Sequence, residues 1–277
     1  MINYSEIIKL INEADAILIG AGAGLSTSAG IDYGTESFHK DFPELVTKYN
    51  MADMYTSSFY EFKTEEEKWS YWIKHIDCIY NLPATNTYKC LNSLFNNKNY
   101  FIITTNVDGQ FLKAGFDKNK VFEVQGNLSK MQCSVGCHNT LYNDLPLVKK
   151  APKYKKDTTI PKNIVPICPV CGKSMEVNLR KDAFFVEDKN WHYLEKNYND
   201  FISINKQKNL LLIELGVGFN TPGIIRYPFE VLTKTQEKVT LLRINDQYAD
   251  IPSEIKDKSI VLKTDCQTFI KNLLKRL

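Results

Sequence analysis

The 277-residue sequence predicts an α/β fold: a doubly wound, parallel, Rossmann-like sheet with a small zinc-ribbon subdomain and a helical insertion. Short apolar runs typical of buried strands alternate with helical patterns along the chain, as they do in parallel sheets. These runs end abruptly in glycine or small polar residues, which is typical of the ligand-binding edge of such sheets. Two close cysteine pairs interrupt the alternation, as an inserted metal ribbon would.

Composition is that of an ordinary globular chain, with 43% hydrophobic and 24% charged residues. The 35 basic and 32 acidic residues leave a net charge of only +3, which argues against nucleic-acid binding. No run approaches the ~20 apolar residues of a membrane helix, and the N-terminal stretch has no secretion-signal pattern. Seven cysteines, an odd number, suit a reducing compartment better than a disulfide framework. We therefore expect a cytoplasmic protein that binds neither membrane nor nucleic acid.

The first predicted strand, 15–19, follows a short amphipathic helix at 5–14 and runs directly into a glycine-rich loop. A strand, glycines and a Ser/Thr-led helix start can place a phosphate against backbone N–H groups. The spacing departs from GxGxxG because Leu25 occupies the last glycine position, so a plain glycine turn stays open as the alternative. The candidate ligand-binding residues here are Gly20, Ala21, Gly22, Ala23, Gly24, Leu25 and Ser26.

The segment 35–98 predicts helices. Its aromatic and aliphatic residues recur at three- and four-residue steps, and we interpret them as core and not as a binding surface. The residues concerned are Trp69, Trp72, Ile73, Ile76 and Tyr80, and then Tyr88, Leu91, Leu94 and Phe95.

Two further strands, 101–103 and 121–124, each stop in polar residues. The first is followed by Thr104-Thr105-Asn106-Val107-Asp108-Gly109 and the second by Gln125-Gly126-Asn127. Because parallel strands end at the same edge of a sheet, we expect these polar side chains to face a ligand there. On these residues alone, ordinary strands with polar turns remain the alternative.

Four cysteines have the spacing of a zinc ribbon. Cys133 and Cys137 form one close pair, and Cys168 and Cys171 form another about thirty residues later. Four thiolates fill a tetrahedral zinc shell, so we expect one structural zinc and no catalysis by it. His138 is interpreted as a surface histidine, with a substitute ligand as the alternative.

The second half of the chain returns to the α/β pattern. A short buried strand is expected within 178–187, a helix at 191–206, and strands at 209–215, 239–245 and 259–262, before a C-terminal helix. The strand at 209–215 ends in a second glycine-containing loop, Gly216-Val217-Gly218-Phe219-Asn220. We expect a Rossmann-like domain from 1–128 and 176–277, with the helical insertion at about 35–85 and the ribbon at 129–175.

Taken in order, these motifs resemble those of the sirtuins, the Sir2-like NAD-dependent enzymes. The loop from Gly20 to Ile31 is similar to GAGxSxxSGI, Thr105-Asn106-Val107-Asp108 to TQNID, and Arg180 to Glu187 to the substrate-facing RPxxVxFGE. The cysteine pairs match the family's zinc ribbon. The resemblance implies a second set of NAD-binding positions at the strand ends, namely Gly216, Val217, Gly218, Asn220, Asn245, Asp265 and Cys266, together with Tyr33 after the first loop.

The departures from the pattern are specific. Deacylases of the family have His-Gly where this chain has Gln125-Gly126, and no Phe-Arg follows Ile31. This combination resembles the macrodomain-associated class M sirtuins. That resemblance implies transfer of ADP-ribose from NAD to a protein, with a lipoylated glycine-cleavage-H-like carrier as acceptor and a macrodomain hydrolase as functional partner.

Elementary chemistry points the same way. Cleavage of the nicotinamide–ribose bond builds positive charge, which a nearby carboxylate and amide can stabilise; by the resemblance these are Asp108 and Asn106. Deacylation also needs a base, and the Gln125 amide does not titrate near neutral pH as an imidazole does. We therefore predict Asn106, Asp108 and Gln125 as the catalytic set of an ADP-ribosyltransferase. The alternatives are a weak deacetylase or delipoylase, an NAD glycohydrolase, and an NAD-binding interaction module without catalysis.

Overall fold

We describe a computed structural model in which residues 3–31, 35–154 and 157–276 are placed. Its strands are β1 (Ala16–Ala21), β2 (Tyr100–Thr104), β3 (Val121–Glu123), β4 (Gly126–Cys133), β5 (Tyr142–Asn143), β6 (Met175–Leu179), β7 (Leu210–Leu215), β8 (Val239–Ile244) and β9 (Ser259–Leu262). Its α-helices are α1 (Tyr4–Glu13), α2 (Ala23–Ser28), α3 (Thr35–Asp41), α4 (Pro43–Tyr49), α5 (Met54–Ser57), α6 (Glu65–Asn81), α7 (Asn86–Phe95), α8 (Gln110–Lys113), α9 (Leu145–Val148), α10 (Lys189–Asn205), α11 (Arg226–Thr235) and α12 (Cys266–Leu274).

Six parallel strands form the main sheet, in the order β3-β2-β1-β7-β8-β9. The chain builds outward from β1 to β3 on one side and from β7 to β9 on the other. The strand order therefore reverses between β1 and β7, which is a topological switch point. The predicted doubly wound parallel sheet is confirmed, and its carboxyl edge is where a ligand crevice is expected.

The central strands are buried along their whole length, as strands covered on both faces must be. Helices α1, α7 and α12 cover one face, where Ile19 and Phe269 are in the core. Helices α10 and α11 cover the other face, where Leu18 and Phe229 are buried. Burying each such side chain contributes about 1.5–3 kcal/mol, so the two cores hold the strand ends in fixed positions.

Helices α3 to α6 pack against a second, antiparallel sheet of order β5-β4-β6. Trp69 and Trp72 of α6 are buried in this contact, as predicted. Tyr80 was predicted to be core but is 36% exposed. Eight residues turn a helix by about 80° beyond two full turns, so Tyr80 lies off the face that carries Trp72. The proposed domain limits stay a prediction.

The short strand expected within 178–187 lies further upstream. Strand β6 ends at Leu179, and the residues after it form a turn and then an irregular segment outside both sheets. Two buried side-chain amides take the place of a strand here. Gln132 donates to the Phe184 carbonyl at 2.7 Å and accepts from the Val186 N–H at 2.9 Å, and Asn178 donates to the Val186 carbonyl at 3.1 Å.

Asp144, between β5 and α9, is completely buried. Neither of its carboxyl oxygens has a hydrogen-bond donor among the described residues. Burial raises the pKa of this carboxyl to about 7, although the nearby backbone N–H of Asp144 itself and the positive charge of Lys130 act to lower it. The second sheet therefore contains a carboxyl group that folding favours in its protonated form.

Candidate functional site

The predicted NAD-binding residues that the structure describes gather along the carboxyl edge of the main sheet, because Gly20 and Ala21 end β1 and the others follow one of the parallel strands. The loop after β1 contains Gly22 and the loop after β7 contains Gly216, on the two sides of the switch point. The loops after β2 and β3 contain Asp108 and Gln125, and the loop after β8 begins at Asn245. Tyr33 lies outside the described residues. The assignment of all these positions to NAD stays a prediction.

The two glycine loops touch backbone to backbone. Gly24 N–H donates to the Gly216 carbonyl at 2.9 Å, and Gly22 N–H donates to the Leu215 carbonyl at 3.0 Å. A Cβ on Gly24 would lie 2.8 Å from the Gly216 Cα, and Gly216 itself has a φ of +61°. Only glycine permits this approach without a shift of the backbone. The two loops thus form a concave surface at the switch point, which we call the glycine cradle. Main-chain atoms line it where the loops meet.

Several predicted binding positions face the protein interior. A Cβ on Gly20 would meet the Ile225 side chain at 2.4 Å, so this glycine lets β1 pack against α11. Ala21 and Leu25 are completely buried, and Cys266 is buried at the start of α12. Burial raises the pKa of the Cys266 thiol to about 12, so the thiol stays protonated. These residues shape the edge from beneath it.

A buried polar cluster lies behind the first glycine loop. Ser26 donates to the Asp108 carboxylate at 2.6 Å and lies 2.9 Å from the Tyr88 hydroxyl. Asn106 donates to the Gly22 carbonyl at 3.0 Å and to the Ser26 hydroxyl at 3.1 Å. Each of the four side chains is at most 8% exposed. Asn106 and Asp108, which the sequence predicts to act together, are therefore brought together and fixed in orientation.

Tyr88 was predicted to be core, and its role in this cluster was missed. Burial, and then the negative charge of Asp108, hold the pKa of its hydroxyl well above the usual range, so it remains a neutral group. A buried tyrosine hydroxyl needs a hydrogen-bond partner, which is the one signal that the sequence offered.

Gln125 lies at the end of β3 and lines an open cleft of about 550 Å³ together with Arg180 and Thr221. Its side-chain carbonyl oxygen is buried and has no hydrogen-bond donor among the described residues. An unsatisfied buried acceptor costs about 1–3 kcal/mol, which a ligand that donates a hydrogen bond would offset. The neighbouring Gly126 has a φ of +99°, and a Cβ there would lie 2.0 Å from the Asn178 carbonyl oxygen. The backbone beside Gln125 is therefore tightly constrained.

The segment that follows β6 fixes Gln125 from the other side. The backbone N–H of Arg180 donates to the main-chain carbonyl of Gln125 at 2.9 Å. The Arg180 guanidinium lies 4.2 Å from the Phe185 ring centroid and pairs with Glu187 at 2.6 Å. Trp191 donates its indole N–H to the Val124 carbonyl at 3.2 Å. The predicted substrate-facing segment thus forms one wall of the cleft beside Gln125.

Glu123 was also missed by sequence reasoning. Burial raises the pKa of its carboxyl to about 7, the Asn127 hydrogen bond lowers it, and the negative charge of Asp108 raises it further. Asn127 donates to this carboxyl at 2.6 Å. A group that titrates near neutrality therefore lies next to the β2–β3 end of the edge. A glutamate that ends a strand carries no special signal in the sequence.

At the other end of the edge, polar side chains tie loops together. Asn245 donates to the Val217 carbonyl at 2.9 Å and accepts from the Tyr248 N–H at 2.8 Å. Asp265 caps α12 by accepting from the Thr268 N–H at 2.8 Å. Thr105, near the β2 end, donates its N–H to the Ala21 carbonyl at 3.1 Å. Gly218 and the exposed Asn220 follow Val217 in the same loop.

The four predicted metal ligands come together. The Sγ atoms of Cys133, Cys137, Cys168 and Cys171 all lie within 4.8 Å of one another, and none forms a disulfide. Two Sγ–Sγ distances are 3.5 and 3.7 Å, near the roughly 3.8 Å edge of a tetrahedron whose Zn–S bonds are about 2.3 Å. The donor set therefore fits one structural zinc.

His138 is half-buried beside this cluster. Its Nδ1 lies 3.0 Å from the Cys137 Sγ, and its Nε2 lies 2.9 Å from the Tyr142 hydroxyl. His138 contacts Cys137. The group of candidate metal ligands found among the described residues consists of the four cysteines and does not include His138.

The family model described as "Sir2 family" matches positions 22–216. A Staphylococcus aureus protein named "Protein ADP-ribosyltransferase" is 36% identical over 267 residues, which are 96% of this chain and 85% of the relative. A Fusarium oxysporum f. sp. cubense protein named "Probable bifunctional ADP-ribose hydrolase/ADP-ribosyltransferase" is 32% identical over 262 residues, or 90% of this chain and 44% of the relative.

Solved structures share the fold. The structure of Sir2Tm bound to a propionylated peptide matches with a TM-score of 0.65 at 19% identity, over 99% of this chain and 98% of the other. A complex described as Sir2, p53 peptide and NAD⁺ matches with a TM-score of 0.58, also at 19% identity, over the same shares of the two chains. Within the described part of the chain, every helix is too short or too polar to cross a bilayer.

Proposed function

The chain belongs to the Sir2 family, and on that premise we propose that it is an NAD-dependent ADP-ribosyltransferase that modifies a protein. The observation that carries the proposal is Gln125, whose buried amide oxygen has no donor among the described residues and whose position is that of the family's histidine. The name of the Staphylococcus aureus relative, 36% identical, supports the same activity.

The residues present fit NAD as the co-substrate. The glycine cradle brings main chain to the switch point of the sheet, where dinucleotides bind in doubly wound folds. Gly22 and Gly216 allow the two loops to meet main chain against main chain at that point, and the short helix α2 starts directly after the first loop. We assign the edge around β2 and β3 to the nicotinamide ribose and the edge around β8 and β9 to adenosine.

When bound, NAD supplies a nicotinamide–ribose bond whose cleavage builds positive charge on the ribose. Asp108 supplies a carboxylate close to that charge, and Ser26 fixes its orientation by a 2.6 Å hydrogen bond. The Asn106 side chain donates to Gly22, Ser26 and Tyr88, so its amide is oriented before the substrate arrives. In a buried setting such fixed groups need no reorganisation during the reaction.

Gln125 is the residue that favours ADP-ribose transfer over deacylation in this proposal. Its amide oxygen can accept a hydrogen bond from a ribose hydroxyl or from an incoming acceptor, which would satisfy the buried atom. An amide cannot take up the proton as an imidazole does, so the step that deacylation requires is missing. Bond cleavage and transfer remain possible.

For the acceptor we propose a lipoylated glycine-cleavage-H-like carrier protein, presented along the cleft between Gln125 and Arg180. A macrodomain hydrolase is the proposed functional partner that removes the modification. The Fusarium relative supports this pairing, because its name joins an ADP-ribose hydrolase to an ADP-ribosyltransferase. Cysteines that are free of disulfides support a reducing compartment such as the cytoplasm.

The test is incubation with NAD and a lipoylated carrier protein, followed by intact-mass analysis of the carrier. We expect a gain of one ADP-ribose per carrier and an equal amount of nicotinamide. Loss of the acyl group without that gain would instead identify a deacylase. Release of free ADP-ribose with no modified protein would identify an NAD glycohydrolase, and absence of any nicotinamide release would identify a binding module.

A further inference from the structure

The segment 180–187 borders two open spaces. Arg180 and the two residues after it line the cleft at Gln125, and residues 183–187 line a second hollow, of about 440 Å³, beside the zinc ribbon. The segment lies outside both sheets, and the Phe184 side chain is 52% exposed. Because neither sheet includes the segment and open space borders it, its position depends on hydrogen bonds from other elements.

Two buried side-chain amides supply those hydrogen bonds. Gln132 on β4 donates to the Phe184 carbonyl at 2.7 Å and accepts from the Val186 N–H at 2.9 Å. Asn178 on β6 donates to the Val186 carbonyl at 3.1 Å and to the Gln132 side-chain oxygen at 2.7 Å. We call Gln132 and Asn178 the amide pair. Together they bind the backbone of the segment at both Phe184 and Val186.

The amide pair is shielded from solvent. Gln132 is 2% and Asn178 is 3% exposed, so water has little access to replace the hydrogen bonds of either side chain. Both ends of the Gln132 amide are used, because its nitrogen faces a carbonyl and its oxygen faces two N–H donors. An apolar side chain of the same size would leave the Phe184 carbonyl and the Val186 N–H without these partners.

The segment bound by the amide pair supports Arg180. The Arg180 guanidinium lies 4.2 Å from the Phe185 ring centroid and pairs with Glu187 at 2.6 Å. Phe185 lies between the two residues whose backbone the amide pair binds, and Glu187 follows them directly. A shift of residues 184–187 would therefore displace both contacts of the guanidinium. Because Arg180 lines the cleft beside Gln125, the amide pair acts on the cleft through this arginine.

The amide pair is separate from the glycine cradle. Its two residues lie in the antiparallel sheet, and Gln132 directly precedes the ribbon cysteine Cys133, whereas the cradle follows β1 and β7 of the main sheet. The ribbon also approaches the segment directly, since a Cβ on Gly136 would lie 3.4 Å from the Phe184 carbonyl oxygen. The groups that hold the segment thus belong to the ribbon side of the molecule and not to the edge assigned to NAD.

We propose that Gln132 and Asn178 are positioning residues for the acceptor protein. Through residues 184–187 they hold Arg180 at the cleft, and they thereby determine how tightly the acceptor binds without taking part in NAD binding. The inference rests on the proposed function in taking this cleft as the place where a protein acceptor is presented. Leaving a buried polar group without its partner corresponds to about tenfold in an equilibrium constant, which is the effect expected on acceptor binding.

The first test compares zinc-loaded wild type with Gln132→Met and Asn178→Leu, which keep the side-chain size and remove the amides. Transfer from NAD to a lipoylated carrier protein is followed by intact mass. We expect the KM for the carrier to rise about tenfold while kcat and the KM for NAD stay unchanged.

Asn205→Leu is the matched control. Asn205, the last residue of α10, is also 3% exposed, and its amide donates to the Phe201 carbonyl within its own helix. Its loss should lower the thermal midpoint, as the loss of either member of the amide pair does, without changing kcat or either KM.

A double-mutant cycle tests the route through Arg180. Arg180→Met alone should raise the KM for the carrier about tenfold, and adding Gln132→Met should raise it by less than about twofold further, because the second change acts through a side chain that is already gone. Independent effects, about a hundredfold in the double variant, would overturn this route.

Hydrogen exchange tests the positioning itself and requires no catalysis. The Val186 N–H is bound to Gln132, so peptides covering 184–190 should exchange about tenfold faster in Gln132→Met and at the wild-type rate in Asn205→Leu. Calorimetric titration should give the same ADP-ribose affinity for all variants.

Three results would overturn the inference: wild-type exchange at Val186 in folded Gln132→Met, an unchanged carrier KM in both amide variants, or a loss of ADP-ribose affinity that parallels the rise in that KM. If wild type transfers no ADP-ribose to the carrier, the proposed function fails. Faster exchange at Val186 with unchanged ADP-ribose affinity would still support the positioning by the amide pair.

Discussion

Replacing Asp144 by asparagine should stabilise the protein by an amount that grows with pH. The folded chain holds this carboxyl at a pKa of about 7, because the group is completely buried without hydrogen-bond donors in the described structure. The unfolded value is near 3.9. The folded pKa is higher than the unfolded pKa, so ionisation of this carboxyl lowers the free energy of unfolding as pH rises from the unfolded pKa to the folded pKa. Above the folded pKa the destabilisation stays constant.

The magnitude of this destabilisation follows from about 1.36 kcal/mol for each unit by which the folded and unfolded pKa values differ. Between pH 5.5 and pH 8 the carboxyl passes through its folded pKa, so the wild type should lose about 2 kcal/mol relative to Asp144→Asn. Asparagine has nearly the same shape and does not titrate, so the change with pH isolates the charge. Part of the absolute difference reflects burial of the new amide, and for that reason the slope is the quantity to compare.

The assay is denaturant unfolding of zinc-loaded protein at several pH values, followed by tryptophan fluorescence. Asp257→Asn, at an exposed aspartate, is the matched control and should show no pH-dependent difference from wild type. A difference between Asp144→Asn and wild type that stays constant from pH 5.5 to pH 8 would refute the reasoning. It would mean that water or a rearranged donor solvates the carboxylate in the folded state.

Three further predictions concern the site and the ribbon. Gln125→His should create NAD-dependent removal of an acyl group from an acyl-lysine peptide, measured by peptide mass, whereas Gln125→Asn should not; no gain for histidine would contradict the role given to the amide. Gly24→Ala, whose Cβ would lie 2.8 Å from the Gly216 Cα, should cost about 1–3 kcal/mol and weaken ADP-ribose binding. Gly223→Ala, with nothing within 4 Å, should leave the thermal midpoint unchanged; equal thermal midpoints for the two variants would argue against the backbone contact. Metal analysis should find one zinc per chain, and chelation should lower the thermal midpoint by several degrees; a midpoint unaffected by zinc loss would remove its structural role.

Most of the main sheet could be predicted because its strands are buried on both faces. Such strands appear in the sequence as apolar runs, and their polar ends mark the edge; β7, predicted at 209–215, is Leu210–Leu215 in the structure and is buried throughout. The four metal-ligand cysteines could also be predicted from the sequence, because the spacing within each cysteine pair is a local property. Both features depend on neighbours in sequence, and for that reason they required no knowledge of the tertiary structure.

What could not be predicted depends on register and tertiary contact. Glu214 and Arg243 are each the fifth residue of a buried strand, and only the parallel register of β7 and β8 places them side by side. Tyr88 had the helical spacing of a core residue, and its hydroxyl acquires a role only because Ser26 and Asp108 come from distant parts of the chain. The prediction of a strand within 178–187 was wrong for a related reason. The side-chain amide of the distant Gln132 forms hydrogen bonds with the backbone of this segment in place of a neighbouring strand.

The central claim is that a sirtuin pocket with glutamine in place of histidine transfers ADP-ribose to a protein and does not remove acyl groups. Its most direct test is the intact mass of a lipoylated carrier protein after incubation with this enzyme and NAD. Our account predicts a mass increase of one ADP-ribose with the lipoyl group retained, and no increase when Asp108→Asn replaces the wild type. A carrier that loses its lipoyl group and gains no ADP-ribose would contradict it.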